Sequence, residues 1–210
     1  MGTLLTFEPP APHLRAALLQ RTGVDVGAER AEHAIRAEIG YYRAHIGDGG
    51  DEAGLAALRR ASAEAMRPAL GLDADRDLLT AALLDSLRFL AFPEVPSALR
   101  ALRTQGLRLV VVSNWDVSLH ERLAETGLAP LLDGAVASAE VGAAKPDPEI
   151  FERALAIAGA APSEAVHVGD SPLEDVEGAR AAGLRAVLLA RDGGGDISSL
   201  DELRSYPWSR

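Results

Sequence analysis

The chain has no cysteine, so disulfides, thiolate metal sites and thiol catalysis are excluded. Aromatic residues make up only 4%, too few for a base-stacking platform. Long apolar runs are missing too: no stretch approaches the ~20 residues needed to cross a bilayer. The opening residues, Met1-Gly2-Thr3-Leu4-Leu5-Thr6-Phe7-Glu8-Pro9-Pro10, hold neither a basic leader nor the apolar segment of a signal peptide. A soluble, cytoplasmic protein is therefore expected. Positive charge is scarce. Asp and Glu number 31 against 21 Lys and Arg, for a net charge of −10. Such a surface repels phosphate backbones and anionic lipid, so neither nucleic acid nor a membrane is expected as a partner. The cations are almost all arginine; Lys145 is the single lysine.

What is present suits a globular fold. The 210 residues are 48% hydrophobic and 25% charged, enough to bury one core with a smaller insert. From Ala11 to Leu90 the apolar spacing is helical: Leu14 with Leu18, Leu55 with Leu58, and Leu79, Leu83, Leu87 and Leu90 at steps of four and three. Breaks at Gly23 and Gly27, at residues 47–50 and at residues 71–73 predict about four helices and no strand.

From Phe92 the texture alternates. A helix is predicted over 96–105, then a strand over 107–112 buried on both faces, and a helix over 117–125. A weak strand follows at 135–137, a helix at 148–158, a strand at 165–168, a helix at 172–182 and a strand at 186–189. A glycine loop over 192–196 and a short helix over 198–204 close the chain. This alternation predicts an α/β fold with a doubly wound parallel sheet carrying an inserted helical segment. The expected division is 1–10 with 91–210 as the α/β core and 11–90 as the insert.

In open parallel sheets, ligands gather beyond the carboxyl ends of the strands. Three such ends carry chemistry. Ser113-Asn114-Trp115-Asp116 follows the first strand of this half. Lys145-Pro146-Asp147-Pro148 follows the weak strand, and Gly169-Asp170-Ser171-Pro172-Leu173-Glu174-Asp175 follows the next. Each taken alone also suits a helix cap or a turn. Together they supply hydroxyl and amide N–H donors for phosphate oxygens, one compact cation, and carboxylates of the kind Mg²⁺ prefers. That is a set for phosphoryl transfer, which needs chiefly positioning and charge neutralisation.

Ser113-Asn114, Lys145-Pro146 and Gly169-Asp170 with Asp175, followed by Gly178-Ala179 and Ala182-Gly183, resemble the second to fourth motifs of the haloacid dehalogenase superfamily. The resemblance spans about residues 92–189, and the form of the last motif is similar to the phosphatase-like branch. It implies that 11–90 is a helical cap. It also implies a Mg²⁺-dependent phosphomonoester hydrolase working through an aspartyl-phosphate on a small phosphorylated metabolite. By that resemblance Lys145 and Asp170 are catalytic, Thr3, Ser113, Asn114 and Lys145 bind phosphate, and Asp170 and Asp175 serve the metal. Gly2-Thr3-Leu4 matches the end of the family's first motif. The second acid position then falls on Met1, and the nucleophilic aspartate two residues before it, with the preceding strand also outside the chain. The alternatives are a 2-haloacid dehalogenase and a non-catalytic fragment that binds phosphate or metal.

Three further side chains are substrate-contact candidates. Tyr41 and His45 lie one helical turn apart, which fits helix packing as well as a contact to the leaving group. Trp115, just after the serine motif, fits either a pocket wall or packing. His167 lies inside a predicted strand and is read as structural.

Overall fold

The computed structural model describes residues 2–208; Met1, assigned above to the second acid position, lies outside them. The chain divides into two compact units, Met1–Thr6 with Ala91–Arg210, and Phe7–Leu90. It passes between them along two short strands, β1 (Leu5–Phe7) and β2 (Phe89–Ala91), which pair with each other.

The unit Phe7–Leu90 is built from four helices, α1 (Pro10–Thr22), α2 (Ala28–His45), α3 (Glu52–Leu70) and α4 (Arg76–Ser86). Their apolar stripes meet in one cluster that includes Leu14, Leu18, Ile35, Met66, Leu70, Leu79 and Leu83. α1 and α3 end on the predicted glycines: Gly23 and Gly71 take the left-handed conformation and return their N–H groups to Leu19 O and Arg67 O. Asp51 and Asp75 cap the starts of α3 and α4. One expectation fails here. The four-three spacing of Leu79, Leu83, Leu87 and Leu90 does not continue as helix. α4 stops at Ser86, and Phe89 and Leu90 enter β2, where Leu90 is exposed.

The other unit is α/β. It runs α5 (Val95–Thr104), β3 (Val110–Ser113), α6 (Leu119–Glu125), β4 (Gly134–Ala137), α7 (Ser138–Val141) and α8 (Pro148–Ala158). β5 (Val166–Gly169) follows, then a six-residue π-type turn (Pro172–Glu177), α9 (Gly178–Ala181) and β6 (Arg185–Leu188). The strands are parallel, as expected, but come as two pairs: β3 with β4, and β5 with β6. Val136, Ile150, Phe151, Ala154 and Ala179 form a core against the first pair.

A cleft of about 550 Å³ runs between β3 and β5, lined by Val110, Val111 and Val112 on one side and Val166, His167 and Val168 on the other. Side chains alternate between the faces of a strand, so three consecutive residues can line a cleft only if it follows the strand edge. β3 is accordingly half-buried throughout, not buried on both faces as its valine run predicts. It also starts later than predicted, at Val110, because Leu109 is held outside the ladder by Asp133. The Leu109 N–H donates to Asp133 Oδ2 at 2.7 Å, and Leu109 O accepts from the Asp133 N–H at 2.7 Å. The helix predicted over 172–182 is a π-type turn leading into α9, where the side chain of Asp175 folds back onto the Ser171 N–H that precedes the turn. Among the described residues no helix is long and apolar enough to cross a membrane.

Candidate active site

The carboxyl ends of β3 and β5 bring the predicted groups together. Thr3, Ser113, Lys145, Asp170 and Asp175 all line the cleft, with Trp115 also in its wall.

Lys145 is placed by the β3 end. Its N–H donates to Asn114 Oδ1 at 2.7 Å, and Asn114 Nδ2 donates to Lys145 O at 3.0 Å. The carboxamide of Asn114, expected on phosphate, is thus committed to the lysine backbone. Lys145 Nζ donates to Val112 O at 3.1 Å and to Asp175 Oδ1 at 2.5 Å. The ammonium therefore lies between a strand-end carbonyl and a buried carboxylate.

Asp175 is the hub. His167 Nε2 lies 2.9 Å from the same Oδ1, and the Ser171 N–H donates to Oδ2 at 2.9 Å. Burial by itself would push this carboxyl up. The His167 hydrogen bond, the Lys145 ammonium and the Ser171 N–H outweigh burial and hold it well below the usual carboxylate range. The side chain fits only because residue 169 is glycine: a Cβ there would stand 2.1 Å from Asp175 Cγ.

Asp170 is exposed at the end of β5 and accepts from Thr3 Oγ1 at 2.6 Å through Oδ1. Gly2 has φ +122°, and a Cβ on it would lie 2.5 Å from Asp170 Oδ2, so glycine is required for this approach.

Among the described residues no group of three or more His, Asp or Glu side chains converges as a metal cage. Mg²⁺ commonly uses only one or two carboxylates, with waters and substrate oxygens completing its shell. Asp170, exposed and acceptor-only, suits that chemistry. Asp175 does not suit direct ligation here: both its oxygens face donors from Lys145, His167 and Ser171.

Trp115 is buried. Its N–H donates to Ser138 Oγ at 3.1 Å, and its carbonyl accepts from the Ala139 N–H at 3.1 Å. Tyr41 and His45, on α2 in the other unit, stack on each other with ring centroids 4.1 Å apart. His45 Nδ1 lies 2.8 Å from Tyr41 O. His167, read from its strand position as structural, proves to share Asp175 with Lys145 while its ring meets Phe151 edge-on. The signal available in the sequence was the alternation along residues 166–169, which turns His167 away from the side taken by Val166 and Val168.

Known proteins resemble this chain in sequence and in backbone. A phosphoserine phosphatase of Thermus thermophilus is 42% identical over 117 residues, 55% of this chain and 47% of its own length. The chain spans about half the length, or less, of the curated relatives it matches. Among solved structures, a HAD phosphatase from Thermococcus onnurineus superposes with a TM-score of 0.64 at 28% identity, covering 97% of this chain and 93% of that one. A 2-haloacid dehalogenase from Pseudomonas syringae pv. Tomato DC3000 gives 0.65 at 28% with the same coverage, so the backbone alone does not separate the two chemistries. The profile described as haloacid dehalogenase-like hydrolase matches residues 1–183, most of the sequence, and this chain belongs to that family.

Proposed function

We propose that the protein hydrolyses small phosphomonoesters in the cytoplasm, with Mg²⁺ as cofactor. The observation that carries this reading is the convergence of Thr3, Ser113, Lys145, Asp170 and Asp175 on one cleft mouth. A dehalogenase has less use for the exposed carboxylate of Asp170. The phosphatase relative makes phosphoserine the first substrate to try.

On this reading the phosphoryl group lies between Ser113 and Lys145. The Ser113 hydroxyl orients its oxygens, and the Lys145 ammonium neutralises their charge while Asp175 holds that ammonium in place. Asn114 fixes the Lys145 backbone. Asp170, steadied by Thr3, would hold Mg²⁺, which would supply further charge neutralisation; Asp175 would support it only through water. Aligned on Gly2-Thr3-Leu4, the family resemblance would put the attacking carboxylate two residues before Met1, at the end of an apolar strand. The cleft supports this, because β3 and β5 each keep an apolar, unpaired edge along it. The carboxylate attacks phosphorus as the ester P–O bond breaks, and water then hydrolyses the acyl phosphate. Residues 11–90 correspond to the family's cap, and Trp115, in the cleft wall, is a candidate contact to the leaving group.

The experiment places an apolar strand ending in that aspartate before Met1 and measures phosphate release from phosphoserine and a panel of phosphomonoesters. Expected is Mg²⁺-dependent turnover, abolished when the added aspartate is replaced by asparagine. Chloride release from 2-haloacids without Mg²⁺ would establish the dehalogenase instead.

A further inference from the structure

Arg191 lies just beyond β6 and belongs to none of the motifs above. Each of its three guanidinium nitrogens is nevertheless engaged. Nε donates to Gly2 O at 2.8 Å and Nη2 to Thr3 O at 2.7 Å. Nη1 donates to Glu94 Oε1 at 2.5 Å, and the guanidinium carbon lies 3.5 Å from the centre of the Phe92 ring. A single planar fork thus holds two successive carbonyls ahead of β1 and grips two side chains just after β2.

The consequence for the site follows from peptide geometry. In a trans peptide the N–H points opposite the C=O. With the Gly2 and Thr3 carbonyls both turned to Arg191, the N–H groups of Thr3 and Leu4 face the other way. The same clamp sets the segment whose Thr3 hydroxyl donates to Asp170 at 2.6 Å and whose Gly2 backbone presses on that carboxylate. The Phe92 N–H donates to Leu4 O at 3.1 Å, so the clamped segments are tied to each other as well.

We infer that Arg191 is a positioning residue for the Asp170 site, acting through Gly2 and Thr3 without touching the reacting atoms. Its functional half rests on the phosphoryl-transfer reading. Lysine is a poor substitute, because one ammonium on a flexible stem cannot present parallel donors to two carbonyls and lie flat on Phe92.

The test uses the chain as it is, with Arg191→Ala, Arg191→Lys, Thr3→Val and the Ala–Val double variant. Two quantities are read: binding of inorganic phosphate with Mg²⁺ by calorimetry, and amide exchange of Phe92 by NMR. Arg191→Ala is expected to weaken phosphate binding roughly tenfold, the scale for residues that orient a ligand from behind. It should also speed Phe92 exchange by about as much, since its acceptor is released. Arg191→Lys should recover only part of either. Thr3→Val should add little on top of Arg191→Ala, because both act on one contact. Additive effects, or faster exchange with phosphate binding unchanged, would reduce Arg191 to a brace of the fold and overturn the inference. If the unaltered chain binds no phosphate, the phosphoryl-transfer reading fails separately. The clamp is then judged on exchange alone, and an unchanged Phe92 rate in Arg191→Ala overturns it.

Discussion

The Thr3 hydroxyl donates to Asp170 Oδ1 at 2.6 Å across 167 residues of chain. That bond joins the segment leading into β1 to the end of β5, and Arg191 holds the same segment from behind. Asp170 is thereby steadied by Thr3, whose own segment Arg191 holds. Asp175, five residues on, is held by Lys145, His167 and the turn backbone. The two aspartates of one motif therefore do different work: one is exposed with ligand capacity, the other is buried and spent on the lysine.

Replacing Lys145 tests that division. Lys145→Ala leaves Asp175 buried with His167 and Ser171 as its remaining partners, so it is expected to cost about 1–3 kcal/mol of stability. It should also abolish phosphate binding with Mg²⁺. Lys145→Arg should not restore binding, because the space between Val112 O and Asp175 Oδ1 holds a compact ammonium. Thermal melts and phosphate calorimetry on the two variants check this; full binding by Lys145→Arg would refute the point-charge requirement.

Asp175 also predicts the acid limb of the stability curve. Its carboxyl is lowered from the ordinary 3.8 in the folded state, so the unfolded chain takes up the proton first. The contribution is complete above about pH 4 and drains away as the pH falls further. In Asp175→Asn the fall in melting temperature below pH 4 should be shallower, and stability at pH 7 lower by about 1–3 kcal/mol. An unchanged acid limb would show that other carboxylates set it.

Glu38 predicts the opposite slope. It is buried on α2, and burial pushes its carboxyl up from 4.5 to about 7. Here the folded state keeps the proton longer. The Glu38 contribution to stability is greatest below pH 4.5, declines as the pH rises towards 7, and levels off above. Glu38→Gln is expected to flatten that decline and to raise stability at pH 8 by up to about 3 kcal/mol. A melting series from pH 4 to 8 on both proteins checks the sign; a variant less stable than the parent at pH 8 would contradict it.

The cleft between β3 and β5 predicts a response to an added strand. An extended apolar peptide of about six residues, a usual strand length, ending in aspartate should raise the melting temperature. It should also slow amide exchange at Val111 and Val168, which line opposite sides. A peptide of the same composition in scrambled, proline-broken order should do neither. Equal effects from the two peptides would point to unspecific apolar binding.

Much of this was legible in advance, and the failures are instructive. The helices of residues 11–90 follow from three-and-four spacing and from glycines that take left-handed caps at Gly23 and Gly71. The same spacing misled at Leu87 and Leu90, where the period ran on after the chain had turned into β2. The valine run of β3 predicted burial on both faces, and the unpaired edge along the cleft denies it. The strand ends singled out Ser113, Lys145, Asp170 and Asp175, and all four line one cleft, because parallel strands deliver their carboxyl ends to one rim. Which atom meets which could not be read there. The carboxamide of Asn114 went to a backbone 31 residues away, and His167 and Lys145 met on a single oxygen.

By itself the sequence determined the α/β class, the helical segment, and the types of group that the strand ends bring to one rim. Those follow from periodicity, turn residues and charge, which are local. Only the tertiary structure decided that Asp175 serves Lys145, that Thr3 steadies Asp170, that Arg191 clamps both segments flanking the β1–β2 pair, and that β3 and β5 face each other across a cleft. Each of these is a choice among several chemically adequate partners. The choice is made by distances of a few ångströms between residues far apart in the chain, which no local pattern encodes.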